Sequence, residues 1–261
     1  MKDLKISIGI QPEFVWVEQR CADLFDAMER YNSAGYTIPV KWIRELRKHW
    51  AWEVYRSEFK QDTCAKNVYR TVKIGNQIWM AENLKVTQYR NGDLIHYVRD
   101  NDRWHATKEG AFCAYSHDMD LVSTYGLLYN WYAVNDGRGL TPEGWHVPSD
   151  EEWKILEMYL GMSQEEANKT GWRGTNEGSK MKEEGISHWK SFTNESGFSA
   201  LPGGYRDHNG NFYHMGGYAL FWSATEFSGG AWSRYLGYDY SEVYRYYHGK
   251  QNGFSVRCIK D

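Results

Sequence analysis

No apolar run in this 261-residue chain approaches the roughly 18 residues that a membrane-spanning helix needs, so insertion into a bilayer is not expected. Cysteine is scarce. Cys21, Cys64, Cys113 and Cys258 lie far apart and form no C-x-x-C pair, which excludes zinc ribbons and thioredoxin-like redox motifs. Spacing alone leaves a Cys113–Cys258 pair conceivable, while buried reduced thiols are the favoured reading. Charge of one sign is lacking as well: a net charge of −3 and a pI near 6.3 argue against non-specific nucleic-acid binding. No export signal is found, because Met1 to Ile10 carries two lysines and then meets Gln11, Pro12 and Glu13, with no long apolar core and no small-residue cleavage site. Synthesis in the cytoplasm is the expectation. A phage virion, as a tail protein, is one home consistent with it; a bacterial protein kept inside or displayed by another route is the other.

Reaction chemistry leaves few traces. Nucleophile-elbow (G-x-S-x-G), H-E-x-x-H and P-loop patterns are all missing. Neighbouring carboxylates such as Glu151 with Glu152, or Glu183 with Glu184, fit solvated faces. The histidines are dispersed, His208 and His214 being the nearest pair, and nothing shows metal-ligand spacing. Calcium-dependent sugar binding needs a loop offering roughly six to eight oxygens, and the E-P-N, Q-P-D and W-N-D signatures are absent; Gln11-Pro12-Glu13 reads as a helix start. Asp118 with Asp120, or Asp100 with Asp102, remain candidates for a structural ion. The expectation is a protein with no catalytic residue, no cofactor and no metal site.

What the chain does have is aromatic side chains: 13 Trp and 20 Tyr are too many for a disordered polypeptide. In the last forty residues two sets interleave. Trp222, Trp232, Leu236, Tyr238, Val243, Phe254, Val256 and Ile259 suit a core. The other set is Phe227, Ser228, Gly229, Gly230, Ser233, Tyr235, Gly237, Asp239, Tyr240, Tyr244, Tyr246, Tyr247, His248 and Gly249. Its composition is that of a paratope, in which tyrosine gives large amphipathic contact area with few rotatable bonds and Ser, Gly and Asp give adaptable hydrogen bonding. A Tyr-rich edge of a β-domain packing on itself is the alternative.

The chain divides near residue 65. Before it, Phe14, Val17, Cys21, Leu24, Phe25 and Met28 recur at helical steps. Gly35 stops that helix, and Pro39 opens a second that places Ile43, Leu46, Trp50 and Val54 on one side. An N-terminal helical hairpin over 1–65 follows, suited to attachment or oligomerisation. After it, short strands and turns take over. Val68–Ile74 and Gln77–Met80 flank Gly75-Asn76, and Asn91-Gly92 and Asn209-Gly210 mark two more turns. Ser149 with Glu152 forms a capping box ahead of the apolar stripe Trp153, Leu156, Tyr159 and Leu160; Ser163 with Glu166 starts a second helix. Trp172 to Gly217 reads as long ordered loops, followed by a terminal β-meander. The sum is an α+β domain over 66–261, with mixed sheets and two helices.

Six stretches in order carry a specific resemblance: VKIGNQIWMAENLK (Val72–Lys85), YGLLYNWYAV (Tyr125–Val134), GWHVPSDEEW (Gly144–Trp153), TNESGFSALPGGYRD (Thr193–Asp207), FWSATE (Phe221–Glu226) and GFSVRCIKD (Gly253–Asp261). The chain from about residue 66 resembles the Fibrobacter succinogenes major paralogous domain family. The resemblance implies a C-type-lectin-like fold, shared with formylglycine-generating enzymes and with variable proteins of diversity-generating retroelements. In those retroelements template adenines mutate during reverse transcription, so AAC codons spread over many amino acids but reach none of Trp, Met, Lys, Glu and Gln. None of those five occurs among the fourteen positions above. The resemblance thus implies a diversified ligand-binding segment over about 221–253 that recognises a protein or a surface glycan. Trp222, Trp232, Arg234, Leu236, Arg245, Phe254, Val256 and Arg257 would be its scaffold. An invariant lectin-like domain is the alternative. An oxidoreductase of the formylglycine-generating kind is disfavoured, since that chemistry uses a reactive cysteine pair and only Cys258 lies in the corresponding region.

Overall fold

The computed structural model describes residues 69–185 and 189–261; the helical hairpin expected for residues 1–65 and its boundary lie outside them. The described residues form a mixed α+β fold. Its first strands are β1 (Thr71–Ile74), β2 (Gln77–Met80), β3 (His96–Tyr97), β4 (Ala111–Cys113), β5 (Leu128–Tyr129) and β6 (Trp145–His146). Then come β7 (Gly171–Arg173), β8 (Gly203–Arg206), β9 (Phe212–Met215), β10 (Tyr218–Phe227), β11 (Gly230–Gly237), β12 (Val243–Gly249) and β13 (Ile259–Lys260). They assemble into a four-stranded sheet (β1-β2-β13-β6), a three-stranded sheet (β3-β4-β5) and a six-stranded sheet (β7-β12-β11-β10-β8-β9). Because β8 joins β10 in parallel while β10, β11 and β12 form an antiparallel meander, the large sheet is not built in chain order.

Turn chemistry explains the local pairings. Ile74 faces Gln77 around Gly75-Asn76, with Gly75 at φ 59°. Asp207 accepts from the Gly210 amide at 3.0 Å to close the Asn209-Gly210 turn between β8 and β9. Between β10 and β11, Ser228 (φ 50°) and Gly229 (φ 78°) are both left-handed, the signature of a type I′ turn that matches strand twist.

The region expected as loops from Trp172 to Gly217 is more regular than its composition suggested. It contributes β7, β8, β9 and a helix over Glu177–Met181. Beyond the two expected helices, short ones also occupy Asn101–Ala106, Val122–Tyr125 and Trp131–Val134. Segments of this length are too brief to display a hydrophobic period, so the sequence conceals them.

The Asp150–Tyr159 helix organises the core. Ser149 Oγ accepts from the Glu152 amide at 3.2 Å, and the Glu152 carboxylate accepts from the Ser149 amide at 2.8 Å. Trp153, Leu156 and Leu160 pack with Trp79, Phe198, Phe221, Leu236 and Val243. Tyr159 does not share that stripe and is 64 % exposed; six residues from Trp153 it has turned some 120° off the stripe at ~100° per residue. Glu157, one turn beyond Trp153, takes the inward place instead and is fully buried.

Glu157 is buried against cations of the large sheet. Its carboxylate meets Arg234 Nε at 2.6 Å and Arg173 Nη2 at 2.8 Å. Asp150 meets Arg234 Nη1 at 2.8 Å and Arg245 Nη2 at 2.7 Å. Burial opposes the Asp150 anion, yet Arg245 and Arg234 overcome it and hold the carboxyl far below its ordinary range. Removing one partner would strand a buried charge. Glu157→Gln is expected to destabilise the domain by about 3–5 kcal/mol in urea unfolding; a loss within experimental error would show that the cluster is dispensable.

The closing segment ties the sheets together. The Gly253 amide donates to Arg206, Phe254 to Tyr129 and Ser255 to Leu220, at 2.8, 3.1 and 3.1 Å. Met80 donates in turn to Cys258 at 2.9 Å. Arg257 is buried with no carboxylate partner among the described residues and donates to Asn83 Oδ1 at 2.8 Å, to the Met80 and Ser199 carbonyls, and to Phe198 O. Burial lowers its pKa to about 9. Cys113 and Cys258 are both free and buried, so the conceivable disulfide between them does not form.

Candidate functional site

Alternation along the terminal strands separates two functions. Arg234 and Arg245 point at the long helix, while Tyr235, Tyr244 and Tyr246 point the opposite way. On that outer face lies a cavity of about 360 Å³. β12 supplies Tyr244, Tyr246 and His248; β11 supplies Tyr235; β10 supplies Tyr218 and Leu220. Trp172 of β7, Tyr205 of β8 and His214 of β9 complete it. No Asp, Glu, Lys or Arg lines it.

The rings hold one another. Tyr244 sits 5.0 Å from Trp172 and 5.2 Å from Tyr235, centroid to centroid. Trp172 also stacks on Tyr240 at 3.9 Å with planes 4° apart. Gly237 allows this approach, since a Cβ there would stand 2.7 Å from the Tyr240 ring. Beneath the loop, the buried Lys182 ammonium donates to Gly237 O at 2.5 Å, to Ser191 O at 3.2 Å and to Tyr240 O. The loop carrying Tyr240 is thus tied from inside.

A hydrogen-bonded chain runs along the β11–β12 wall of the cavity. Ser233 Oγ donates to Tyr246 O at 3.0 Å and also meets His248 Nδ1 at 3.1 Å. With the serine proton committed, Nδ1 must donate, which leaves Nε2 to accept from the Tyr235 hydroxyl at 2.6 Å. This requires a neutral imidazole, and burial indeed lowers the His248 pKa to about 4. Burial likewise pushes the Tyr235 phenol well above its ordinary value. Near neutral pH the chain therefore carries no charge.

The fourteen expected positions are not one surface. Tyr235, Tyr244, Tyr246 and His248 line the cavity, and Tyr240 backs its Trp172 wall. Phe227 and Tyr247 belong to a separate cluster on Trp232, at 4.5 and 5.8 Å. Tyr246 stacks on Tyr247 at 4.8 Å and links the two groups. Ser228, Gly229, Asp239 and Gly249 are exposed. Gly230, Ser233 and Gly237 are buried, where they contribute close packing and a hydrogen bond but offer no outward side chain. Sequence reasoning missed Trp172, Tyr205, His214, Tyr218 and Leu220. The alternation of Tyr218, Leu220 and Trp222 was a usable signal for the last two; the others arrive from strands distant in the chain.

Elsewhere, the acidic pairs considered for an ion serve the backbone. Asp100 accepts from the Arg103 amide at 2.8 Å, and Asp118 from the Asp120 amide at 3.0 Å. Among the described residues no group of three or more His, Cys, Asp or Glu side chains gathers as metal ligands would, and no helix is long and apolar enough to cross a membrane.

The scaffold and the outer face should respond differently to truncation. Trp222 is fully buried, stacks on Phe254 at 4.3 Å and donates to Tyr129 O at 2.8 Å. Trp222→Ala is expected to cost about 3–5 kcal/mol in chemical unfolding, whereas Tyr240→Ala and Tyr244→Ala should leave folding nearly intact. Equal losses would merge the two roles. His248 contributes to the pH response, as does His117, whose pKa burial also lowers to about 4. Unfolded histidine takes a proton near 6.5 and the folded one resists to about 4, so between these values the unfolded state binds more protons and stability falls as pH falls. The loss expected from His248 alone between pH 7 and pH 4 is up to about 3 kcal/mol; His248→Gln should remove that part of the slope in unfolding curves.

Residues 72–260 match the family model of the Fibrobacter succinogenes major domain. No curated protein and no solved structure matches the chain.

Proposed function

The chain belongs to the Fibrobacter succinogenes major domain family, and from that premise we propose that it is a non-enzymatic ligand-binding protein on a C-type-lectin-like scaffold. Its working surface is the outer face of the six-stranded sheet with the adjoining loops. The observation that carries this is the division of the terminal strands: buried Trp, Arg and Leu on one side, an uncharged aromatic cavity on the other. Tyrosine-rich faces of this kind bind through area and shape, and a rigid supporting layer presets them. Reactive groups are poorly placed for catalysis. The Cys113 thiol is pushed up to about 12 by burial, Cys258 is raised further, and Ser233 is buried with its proton spent on a carbonyl.

Within that class, we assign the role of variable, target-binding protein of a diversity-generating retroelement, directed at a protein or surface glycan. Support comes from the fourteen positions, which contain none of the five residue types that adenine mutagenesis of AAC codons cannot reach. A phage tail is a home that fits a receptor of this kind, and the N-terminal segment would serve attachment.

Sequencing the gene and its flanks across one natural population tests this. The expected result is substitution concentrated in the outer-face positions between Phe227 and Gly249, beside a near-copy of that segment and a reverse-transcriptase gene. Even variation along the chain with no template copy would leave an invariant lectin-like domain.

A further inference from the structure

We infer that the aromatic cavity on the large sheet takes a quaternary ammonium group, the trimethylammonium head of a choline-type ligand. This deepens the ligand-binding reading above and rests on it. Three features narrow the chemistry. First, the walls are rings, and no formal charge lines them. A protonated amine or guanidinium entering there would give up water without finding a carboxylate, which is costly. A quaternary ammonium donates no hydrogen bond, and the negative π faces of Trp and Tyr attract it.

Second, part of the polar edge is already committed. Tyr235, His248, Ser233 and the Tyr246 carbonyl satisfy one another along a single chain. A sugar reaching for Tyr235 or His248 would have to break that chain, while a methylated cation needs only the ring faces. Third, carboxylates act on two of the phenols. After burial, Asp207 is the main cause that raises the Tyr205 phenol, and Asp239 is among the causes that raise Tyr218. An anionic ligand would meet those carboxylates with the wrong sign.

Calorimetry on the full chain tests the inference with choline, tetramethylammonium, methyl glucoside and 3,3-dimethylbutan-1-ol, the uncharged isostere of choline. Choline and tetramethylammonium should bind, with the isostere roughly ten-fold weaker or worse. Trp172→Leu and Tyr244→Leu should each weaken choline about ten-fold with the thermal midpoint retained; if either variant fails to fold, the choline-to-isostere ratio on the native chain decides. Equal binding of the isostere, binding of methyl glucoside alone, or no binding at all would overturn the inference. Phosphatidylcholine vesicles distinguish the source: competition by vesicles marks a lipid headgroup, and binding of choline untouched by vesicles marks a free ligand, either upholding the cation. Population sequencing is independent of these titrations, so a diversified gene with no cation binding would overturn the inference and leave the wider reading standing.

Discussion

The structure depends on the buried ion cluster between the Asp150–Tyr159 helix and the large sheet. Two carboxylates from one helix grip three guanidiniums from three different strands, β7, β11 and β12. Such groups are expensive to bury, and hydrophobic substitutes of similar volume often do as well for stability. What the cluster adds is direction. Bidentate carboxylate–guanidinium contacts accept few geometries, so each strand is fixed in register and in facing. Arg245 also lies 3.6 Å over the Trp232 ring, which couples the cluster to the aromatic group at the sheet's far end. With the inner face determined, the outer face is determined too, since alternate residues on a strand have no choice of side.

The closing segment plays a complementary part. Residues 253–258 exchange backbone hydrogen bonds with all three sheets within six consecutive positions. Gly253 must be small, because a Cβ there would stand 2.8 Å from the Trp104 indole. Arg257 donates to the Met80 and Ser199 carbonyls and so joins two stretches of backbone distant in the chain. Both residues sit in the GFSVRC stretch, whose part is thus in packing, set apart from whatever the outer face binds.

How much of this was legible depended on how far each interaction reaches along the chain. The capping box at Ser149, the Gly75-Asn76 hairpin and the β10–β12 meander all rest on contacts between near neighbours, and sequence pattern carries them. The interleaving of buried and outward-facing residues was legible only in part through the period of two, since Gly230, Ser233 and Gly237, expected to face outward, are buried. The cavity was only half legible: its β11 and β12 walls lie in the Tyr-rich segment, but Trp172, Tyr205 and His214 reach it through a sheet whose order departs from the chain's. Tyr159 misled because bulk and aromaticity suit a core, and only the angular position around the helix decides. Glu157 was hidden by its charge, which usually means solvent.

The strict two-residue alternation of β11 has a consequence for how this surface can change over generations. A substitution alters one side chain and leaves every other in place. A single inserted or deleted codon would rotate the remainder of the strand by one position. Arg234 would then be driven into the uncharged pocket and Tyr235 into the ionic layer, and both faces would fail together. The outer face is therefore open to rewriting letter by letter, while the strand is closed to a change in length of one residue.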